Sequence, residues 1–207
     1  MKIGLVVIWF FIFYIPVFGQ KGMQRVVDAS EIATIDISGN TIFKIKIATK
    51  SIQTVSMDLQ VEGENNEQVV LQTRQENDTL FIGSAYQPLF VKPDDKLAAH
   101  KKISLELTIE IPENLTVTIT SDIASVFAKG NFKYLTAELL NGHFSAENYS
   151  GSLHVDTLYG NIELETHSGK LDLYTKNGTI KQDKIPVSTK QLTLNSINGN
   201  IRVTKTQ

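Results

Sequence analysis

The chain has 207 residues, a net charge of −2 and no cysteine. This length fits one or two domains, and the charge provides no basic groove of the kind that binds nucleic acid. Without cysteine there are no disulfides, no thiolate metal sites and no lipid-modified cysteine. Little of the sequence has helical periodicity, so we expect an all-β protein.

The first 19 residues have the pattern of a secretory signal peptide. Lys2 gives a positive start, residues 3–18 form an almost unbroken apolar run, and Val17 and Gly19 occupy the two positions that a signal peptidase reads. A membrane-spanning helix needs about 20 apolar residues, whereas this run is shorter and contains Pro16. We therefore predict cleavage after Gly19 and export to the periplasm, cell surface or medium of a bacterium.

The next part of the chain alternates between apolar and polar residues. Residues 20–31 are polar, and we expect a loose leader there. Residues 32–82 show the alternation of about five strands separated by polar turns. Residues 87–102 contain two prolines and clustered charges, which predicts the longest irregular loop. Alternation then resumes at residue 103 and continues through a Pro112-Glu113-Asn114 turn.

A glycine repeat dominates residues 130–203. From Gly142 to Gly178 the glycines recur every nine residues, and an apolar residue follows each of them two positions later. Alternation with a period of two between glycines is typical of β-strands. Because the residue before glycine alternates between two types, the true period spans two glycine intervals. The pattern predicts a single-stranded parallel β-helix, or β-solenoid, with coils of about 18 residues in a domain spanning residues 32–207.

An 18-residue coil predicts which side chains share the core. Stacking coils at the strand spacing of about 4.8 Å brings residues one period apart onto neighbouring coils. Phe144 should therefore lie against Ile162, and Leu153 against Leu171. Thr157 should lie over Thr175 in a ladder of hydroxyl groups. The inward residues expected to be buried are Phe144, Leu153, Ile162, Leu171 and Ile180.

An antiparallel meander is the competing interpretation of the same repeat. Asn-Gly between alternating strands is a strong hairpin signal, and short strands with two-residue turns would keep the same side chains on one face. Ser-Gly and Tyr-Gly, which also occur here, are poorer turns of this kind. A meander also gives no reason for a recurrence at every second glycine, so the regular repetition favours the β-solenoid.

The repeat motifs resemble those of the putative-adhesin family of bacterial envelope proteins. The resemblance rests on four motifs: Leu140-Asn141-Gly142-His143-Phe144, Tyr149-Ser150-Gly151-Ser152-Leu153, Lys176-Asn177-Gly178-Thr179-Ile180 and Ile197-Asn198-Gly199-Asn200-Ile201. It covers about residues 32–203, and the family is itself described as similar to the head domain of autotransporter adhesins. The resemblance implies a parallel β-helix, export, and a non-catalytic role in adhesion or as a scaffold. It carries over no catalytic residues.

Outward positions of the coils supply the candidate binding residues. Glu147, Glu165 and Asp183 share one position in successive coils, which would place them about 5 Å apart, and Glu163 lies beside them. Either lysines balance such a ladder or a cation such as Ca²⁺ bridges it, but the six to eight oxygens that calcium takes are not evident. We therefore expect a solvated acidic face, with no metal and no cofactor.

A polysaccharide-active lyase or hydrolase is the alternative function, because such enzymes also use parallel β-helices. His154 and Asp172 are expected on adjacent coils, where such a pair can act as a general base. No nucleophile or second acid stands in register with them, and an exposed hydrogen-bonded pair explains them. None of the three arginines lies at the acidic position of the coils. This composition favours a non-catalytic binding protein.

The ends of a solenoid expose unpaired strand edges. We expect the strands of residues 32–82 to pack across the first coil, and Ile201 to Val203 to form an open C-terminal edge. That edge is predicted to pair with a second copy of the chain or with a partner strand. The expected partner is an envelope protein or a glycan, and no nucleic acid.

Overall fold

The computed structural model describes residues 21–63, 68–87 and 103–206. The predicted signal peptide and most of the predicted 87–102 loop lie outside these ranges. Within them no helix is long and apolar enough to cross a membrane. The described residues form 15 strands: β1 (Lys21–Asp28), β2 (Thr34–Ser38), β3 (Lys44–Lys50), β4 (Thr54–Glu62), β5 (Val69–Glu76), β6 (Thr79–Tyr86), β7 (Ser104–Pro112), β8 (Thr116–Ser121), β9 (Ser125–Asn141), β10 (Phe144–Tyr159), β11 (Ile162–Thr166), β12 (Lys170–Thr175), β13 (Ile180–Gln182), β14 (Gln191–Ser196) and β15 (Ile201–Lys205).

These strands pair in two series. The series that we call the first face has the order β1-β4-β7-β3-β9-β10-β11-β15-β13. The second face has the order β5-β6-β2-β8-β9-β10-β14-β12. The long strands β9 and β10 belong to both faces and join them into one sheet. Alternate side chains of both faces are buried in one hydrophobic core, as period-two alternation requires.

Pairing is parallel through the middle of the molecule and antiparallel at one end. The antiparallel pairs are β1–β4, β4–β7 and β5–β6. The all-β prediction is confirmed, but the sheet is mixed and not uniformly parallel. A local reason for the antiparallel pair β5–β6 is the tight turn at Asn77, which has a left-handed φ of 53°. Asparagine tolerates this conformation better than most residues.

The 18-residue register is confirmed for the central strands. Phe144 pairs with Val126 on β9 and with Ile162 on β11, both in parallel register, and Leu153 pairs with Leu135. The residue numbers within each of these pairs differ by the predicted period. The parallel pairing of β9, β10 and β11 also excludes the meander for these strands.

The register prediction is wrong at the C-terminal end. Strand β14 lies between β10 and β12, so Leu153 pairs with Leu192, and Leu192 pairs with Leu171. Thr157 and Thr175 are likewise separated by Ser196. The hydroxyl ladder therefore contains a serine between the two threonines.

Strand β15 is inserted in the same way between β11 and β13. Ile201 separates Ile162 from Ile180. Phe144, Leu153 and Ile162 are buried as predicted, whereas Leu171 is only half-buried and Ile180 is 42% exposed. The reason is that β12 and β13, not the last strands of the sequence, form the outer rung, and no further rung of the described residues covers them.

The expectation of an open edge at Ile201 to Val203 is wrong for the same reason. Both residues are buried, and their strand is paired on both sides, by β11 and by β13. The free strands at this end are β12 and β13. In the described part of the chain, the side of each that faces away from β14 or β15 has no strand partner.

The N-terminal strands extend the two faces instead of packing across them. Strands β2 and β3 are inserted between the rung formed by β6 and β7 and the rung that contains β8. Strands β4 and β1 continue the first face, and β5 continues the second. Residues 21–28, within the expected polar leader, form β1 and pair with β4 along its whole length.

Glycine is needed in the repeat for two physical reasons, a close contact between rungs and, at one position, a positive φ. Gly151 has a φ of 140° where β10 bends from one face to the other, a conformation that favours glycine. Gly160 instead lies against the rung below, because a Cβ there would stand 1.8 Å from the carbonyl oxygen of Gly142. The same close approach recurs one rung on, where a Cβ at Gly199 would stand 1.9 Å from the oxygen of Gly160. From Gly142 to Gly178, each glycine of the repeat thus lies against a neighbouring rung, and among these five Gly151 alone also has a positive φ.

Candidate functional site

The four acidic candidate residues lie on the first face but do not form one continuous ladder. Glu147 and Glu165 lie on the neighbouring strands β10 and β11. Asp183 lies beyond the inserted strand β15, where its Oδ2 accepts a hydrogen bond of 3.1 Å from the backbone N–H of Lys205. Glu163 pairs in register with Arg202. Strand insertion thus separates Asp183 from the other carboxylates.

Two carboxylates of this group, Glu147 and Glu163, have basic residues as register partners on neighbouring strands. Lys129 of β9 is the register partner of Glu147, as Arg202 is of Glu163. Across residues 21–63, 68–87 and 103–206, no group of three or more histidine, aspartate or glutamate side chains is placed to hold a metal ion. The arrangement is that of a surface with alternating charges.

His154 and Asp172 are not neighbours on the second face. Thr193 of the inserted strand β14 lies between them in the register. His154 Nε2 lies 2.8 Å from Asp156 Oδ2 on its own strand, and Asp156 Oδ1 accepts a 2.8 Å hydrogen bond from Asn195 Nδ2. The structure thus replaces the expected pair with a partly exposed His154–Asp156–Asn195 cluster.

A shallow depression of 320 Å³ lies on the first face, where β7, β3, β9 and β10 run side by side. Ala48 forms part of its floor, because this small side chain stands between longer ones on both neighbouring strands. Phe127, which is 41% exposed, forms one wall. We call this feature the Phe127 depression.

Lysines surround the Phe127 depression. Lys44 Nζ lies 5.5 Å from the centroid of the Phe127 ring, and 3.4 Å from a carboxylate oxygen of Glu106. Lys46 donates to the same carboxylate. This hydrogen bond lowers the pKa of Glu106 and raises the pKa of Lys46, so both groups are charged near neutral pH. Lys129, also in the wall, has no ion pair in the described part of the chain.

The depression can therefore hold a ligand through two kinds of contact. An exposed aromatic ring stacks on apolar or planar groups, and a lysine without an ion pair attracts negative charge. The sequence analysis missed these residues because Phe127 precedes the regular repeat and the lysines come from strands far apart in sequence. The spacing before Gly130 suggested that Ile123, Ser125 and Phe127 take the offsets of the inward residues of the later repeats. The structure instead buries Ala124 and Val126 and exposes Phe127.

A larger groove of 600 Å³ lies at the corner where β8, β9, β10 and β14 leave the second face. Its lining includes the carboxylates Asp122, Glu138 and Asp156 and the apolar residues Leu140 and Leu158. We call this feature the corner groove. The sequence carried a signal for it, since Asp122, Leu140 and Leu158 recur at 18-residue spacing, but the sequence analysis did not single out these positions.

Comparison with solved structures shows that the fold is shared with another protein. No family model matches the chain, and no curated protein matches it. A putative cell adhesion protein from Clostridium sporogenes has 12% sequence identity and a TM-score of 0.62, with 91% of this chain and 100% of that chain covered. At this identity the similarity shows the fold alone.

Two further solved structures have TM-scores too low to establish a shared fold. A putative adhesin from Bacteroides fragilis has 14% identity and a TM-score of 0.38, over 89% of this chain and 97% of that chain. A putative lipid binding protein from Parabacteroides distasonis has 8% identity and a TM-score of 0.28, over 88% of this chain and 97% of that chain.

Proposed function

We propose that the chain is an exported, non-catalytic protein of the bacterial cell envelope that binds other envelope components through its first face. The observation that carries this proposal is the Phe127 depression. It combines an exposed aromatic ring with lysines held in fixed rows by parallel strands. Side chains on a paired sheet lose little further freedom on binding, so such a surface is preorganised for a partner.

The proposal includes the finer architecture and the location. The central strands are assigned to a β-solenoid with coils two glycine intervals long, supported by the parallel register that links Val126, Phe144 and Ile162. Export is supported by the signal-peptide pattern of residues 1–19. Adhesion is the specific role that we carry over from the description of the Clostridium sporogenes protein of the same fold.

Binding of the purified chain to washed bacterial envelope fractions tests the proposal. The chain should sediment with at least one fraction, and Phe127→Ala together with Lys129→Ala should reduce binding about tenfold, since both contacts of the depression are lost. The matched control is Tyr174→Ala, which removes an aromatic ring that is 53% exposed on the second face. Full binding by the double variant would assign the interaction to another surface.

An activity screen addresses the alternative function. Turnover of an acidic polysaccharide that is lost in His154→Ala, the residue of the second-face cluster with a basic nitrogen, would replace the binding proposal with an enzymatic one. No turnover is expected, because no nucleophile is hydrogen-bonded to His154 among the described residues.

A further inference from the structure

The corner groove lies where the ends of stacked strands meet the turns that follow them. The backbone N–H of Asn141 donates to the carbonyl oxygen of Asp122 at 2.9 Å, and that of Asn198 donates to Leu158 at 3.0 Å. These bonds fix one turn above the next, so that Leu140, Leu158 and Ile197 line the same groove. The groove is therefore part of the rigid ladder and does not depend on a loop.

Exposed apolar side chains concentrate at this corner. Leu140 is 41% exposed, and Ile123 and Tyr159, which follow Asp122 and Leu158 in the chain, are 42% and 55% exposed. Contiguous exposed apolar surface on a folded protein marks a site of interaction more often than isolated residues do. Leu140 also lines the groove itself, so a partner that fills the groove covers apolar surface that is otherwise in water.

The charge of the groove restricts the partner. Asp122, Glu138 and Asp156 line it, and no lysine or arginine among the described residues does. Asp156 is hydrogen-bonded to His154 and Asn195. The carboxylates of Asp122 and Glu138 have no hydrogen bond or ion pair within the described part of the chain, so their oxygens remain available. A partner for this surface carries positive charge and apolar groups together, and an anionic one is repelled.

The dimensions favour an extended polypeptide. The groove crosses four strands, β8, β9, β10 and β14, and three steps of about 4.8 Å give a length of about 14 Å. An extended chain rises about 3.3 Å per residue, so about four residues fit, with alternate side chains toward the groove. Glu138 and Asp156 are register partners on neighbouring strands and present two acceptors to such a chain.

We propose that the corner groove binds an extended segment of a partner polypeptide in which lysine or arginine residues alternate with apolar residues. The inference rests on the proposed binding function and names a partner class for a second surface, separate from the Phe127 depression. The apolar side chains cover Leu140 and Leu158, and the cationic ones reach Asp122 and Glu138.

Fluorescence anisotropy with three labelled eight-residue peptides tests the inference. In each peptide leucine alternates with one other residue, which is lysine in the first, glutamate in the second and serine in the third. The length and the label are the same in all three. The lysine peptide should bind at least about tenfold more tightly than the glutamate peptide, and added salt should weaken it, because the contacts are electrostatic and exposed. Equal affinity for all three peptides would overturn the inference.

Variants then locate the site. Leu140→Ser and Glu138→Gln, both at exposed positions, should each weaken the lysine peptide about threefold or more, and the double variant about tenfold. The matched control, Val26→Ser with Glu31→Gln, makes the same kinds of change at exposed positions outside both surfaces and should leave peptide affinity unchanged. Unfolding curves that match the parent chain show that the variants fold. Unchanged affinity in the folded double variant contradicts the assignment.

The same proteins in the envelope assay separate this inference from the proposed function. Envelope binding that persists while no peptide binds would leave the function standing and remove the groove from it. Peptide binding that depends on Leu140, without any envelope binding, would support the groove and contradict the first-face proposal. The absence of both peptide binding and envelope binding would contradict both the groove inference and the proposed function.

Discussion

At the scale of single residues, Gly160 is required for packing between turns. An alanine Cβ at position 160 would stand 1.8 Å from the carbonyl oxygen of Gly142 and 2.7 Å from its carbon. Both are backbone atoms held in the ladder, so neither can move away. We expect Gly160→Ala to lower the free energy of unfolding by about 3 kcal/mol or more, measured as a lower midpoint in urea.

Gly22 provides the control, because a Cβ there would meet no atom within 4 Å. Gly22→Ala should change the free energy of unfolding by no more than about 0.5 kcal/mol. Equal effects of the two substitutions would show that glycine acts through the unfolded chain and not through the contact between Gly160 and Gly142.

Tyr149 makes stability sensitive to alkaline pH. Its buried hydroxyl donates a 2.7 Å hydrogen bond to the carbonyl oxygen of Ser152, and its ring stacks on Phe132. Burial, with a smaller contribution from Tyr134, raises the pKa of Tyr149 well above its usual range. Because the folded pKa is raised, this contribution to stability is complete below about pH 10, where unfolded tyrosine is still neutral, and is lost as the pH rises further.

The variant Tyr149→Phe separates this effect from the titration of lysines. It should be less stable than the parent at neutral pH by about 1 kcal/mol, because a hydrogen bond is lost. Between about pH 10 and pH 11 it should lose less stability than the parent does, as measured by urea unfolding. Tyr174→Phe, at a position that is 53% exposed, should behave like the parent. Identical losses in all three proteins would contradict the role of Tyr149.

At the scale of strands, the position of β14 predicts unequal effects of two equivalent leucines. Leu192 is fully buried between Leu153 and Leu171, whereas Leu171 is half-buried on the outer rung. Leu192→Ala should therefore cost about 2–5 kcal/mol, and Leu171→Ala less than about 2 kcal/mol. Urea unfolding of both variants measures the difference. A larger loss of unfolding free energy in Leu171→Ala than in Leu192→Ala would instead support rungs that follow one another in sequence order.

The repeat predicted which residues are equivalent, but not their spatial order. Leu171 and Leu192 are both leucines followed two residues later by Leu173 and Leu194, so either fits beside Leu153. Pattern alone cannot choose between them. The choice depends on the segment between β13 and β14, whose Pro186 accepts a hydrogen bond from Gly169 N–H and whose Ile185 packs on the core. These contacts join residues that no periodicity relates.

The repeat pattern likewise did not show which surface residues are neighbours. Alternation correctly placed Glu147 and Glu163 on the outside. Asp183 is not next to them, because β15 lies between β11 and β13. The corner groove was not predicted, because Leu140 and Leu158 lie near the ends of β9 and β10, where strands meet turns. Side chains at turns become neighbours only through the stacking of rungs, and this depends on the global register.

At the scale of the whole molecule, the two ends differ in how they present free strands. One end carries β1 and β5, and the other carries β12 and the three-residue β13. An unpaired strand edge can pair with a strand of another chain, and β12 and β13 each have one such edge in the described part of the chain. We propose that self-association, which the sequence placed at Ile201 to Val203, uses β12 and β13 instead.

Light scattering at several concentrations tests this edge. Ile180 is 42% exposed on β13, and Ile180→Lys should reduce concentration-dependent association by adding a further charge to the edge. Phe43→Lys is the control, because Phe43 is 58% exposed and lies on a turn far from β13 in the order of strands. A parent chain that is monomeric at every concentration would contradict end-to-end pairing.

The insertion of β14 and β15 also has a consequence for the order of folding. A repeat protein can grow by adding each new unit to the last, but here β14 and β15, which follow β12 and β13 in the chain, occupy an inner rung. Strands β12 and β13 have no neighbour among the described strands to pair with until β14 and β15 arrive. Completion of this end therefore waits for β14 and β15, and a nascent chain that stops before residue 191 leaves β11 as its last paired strand.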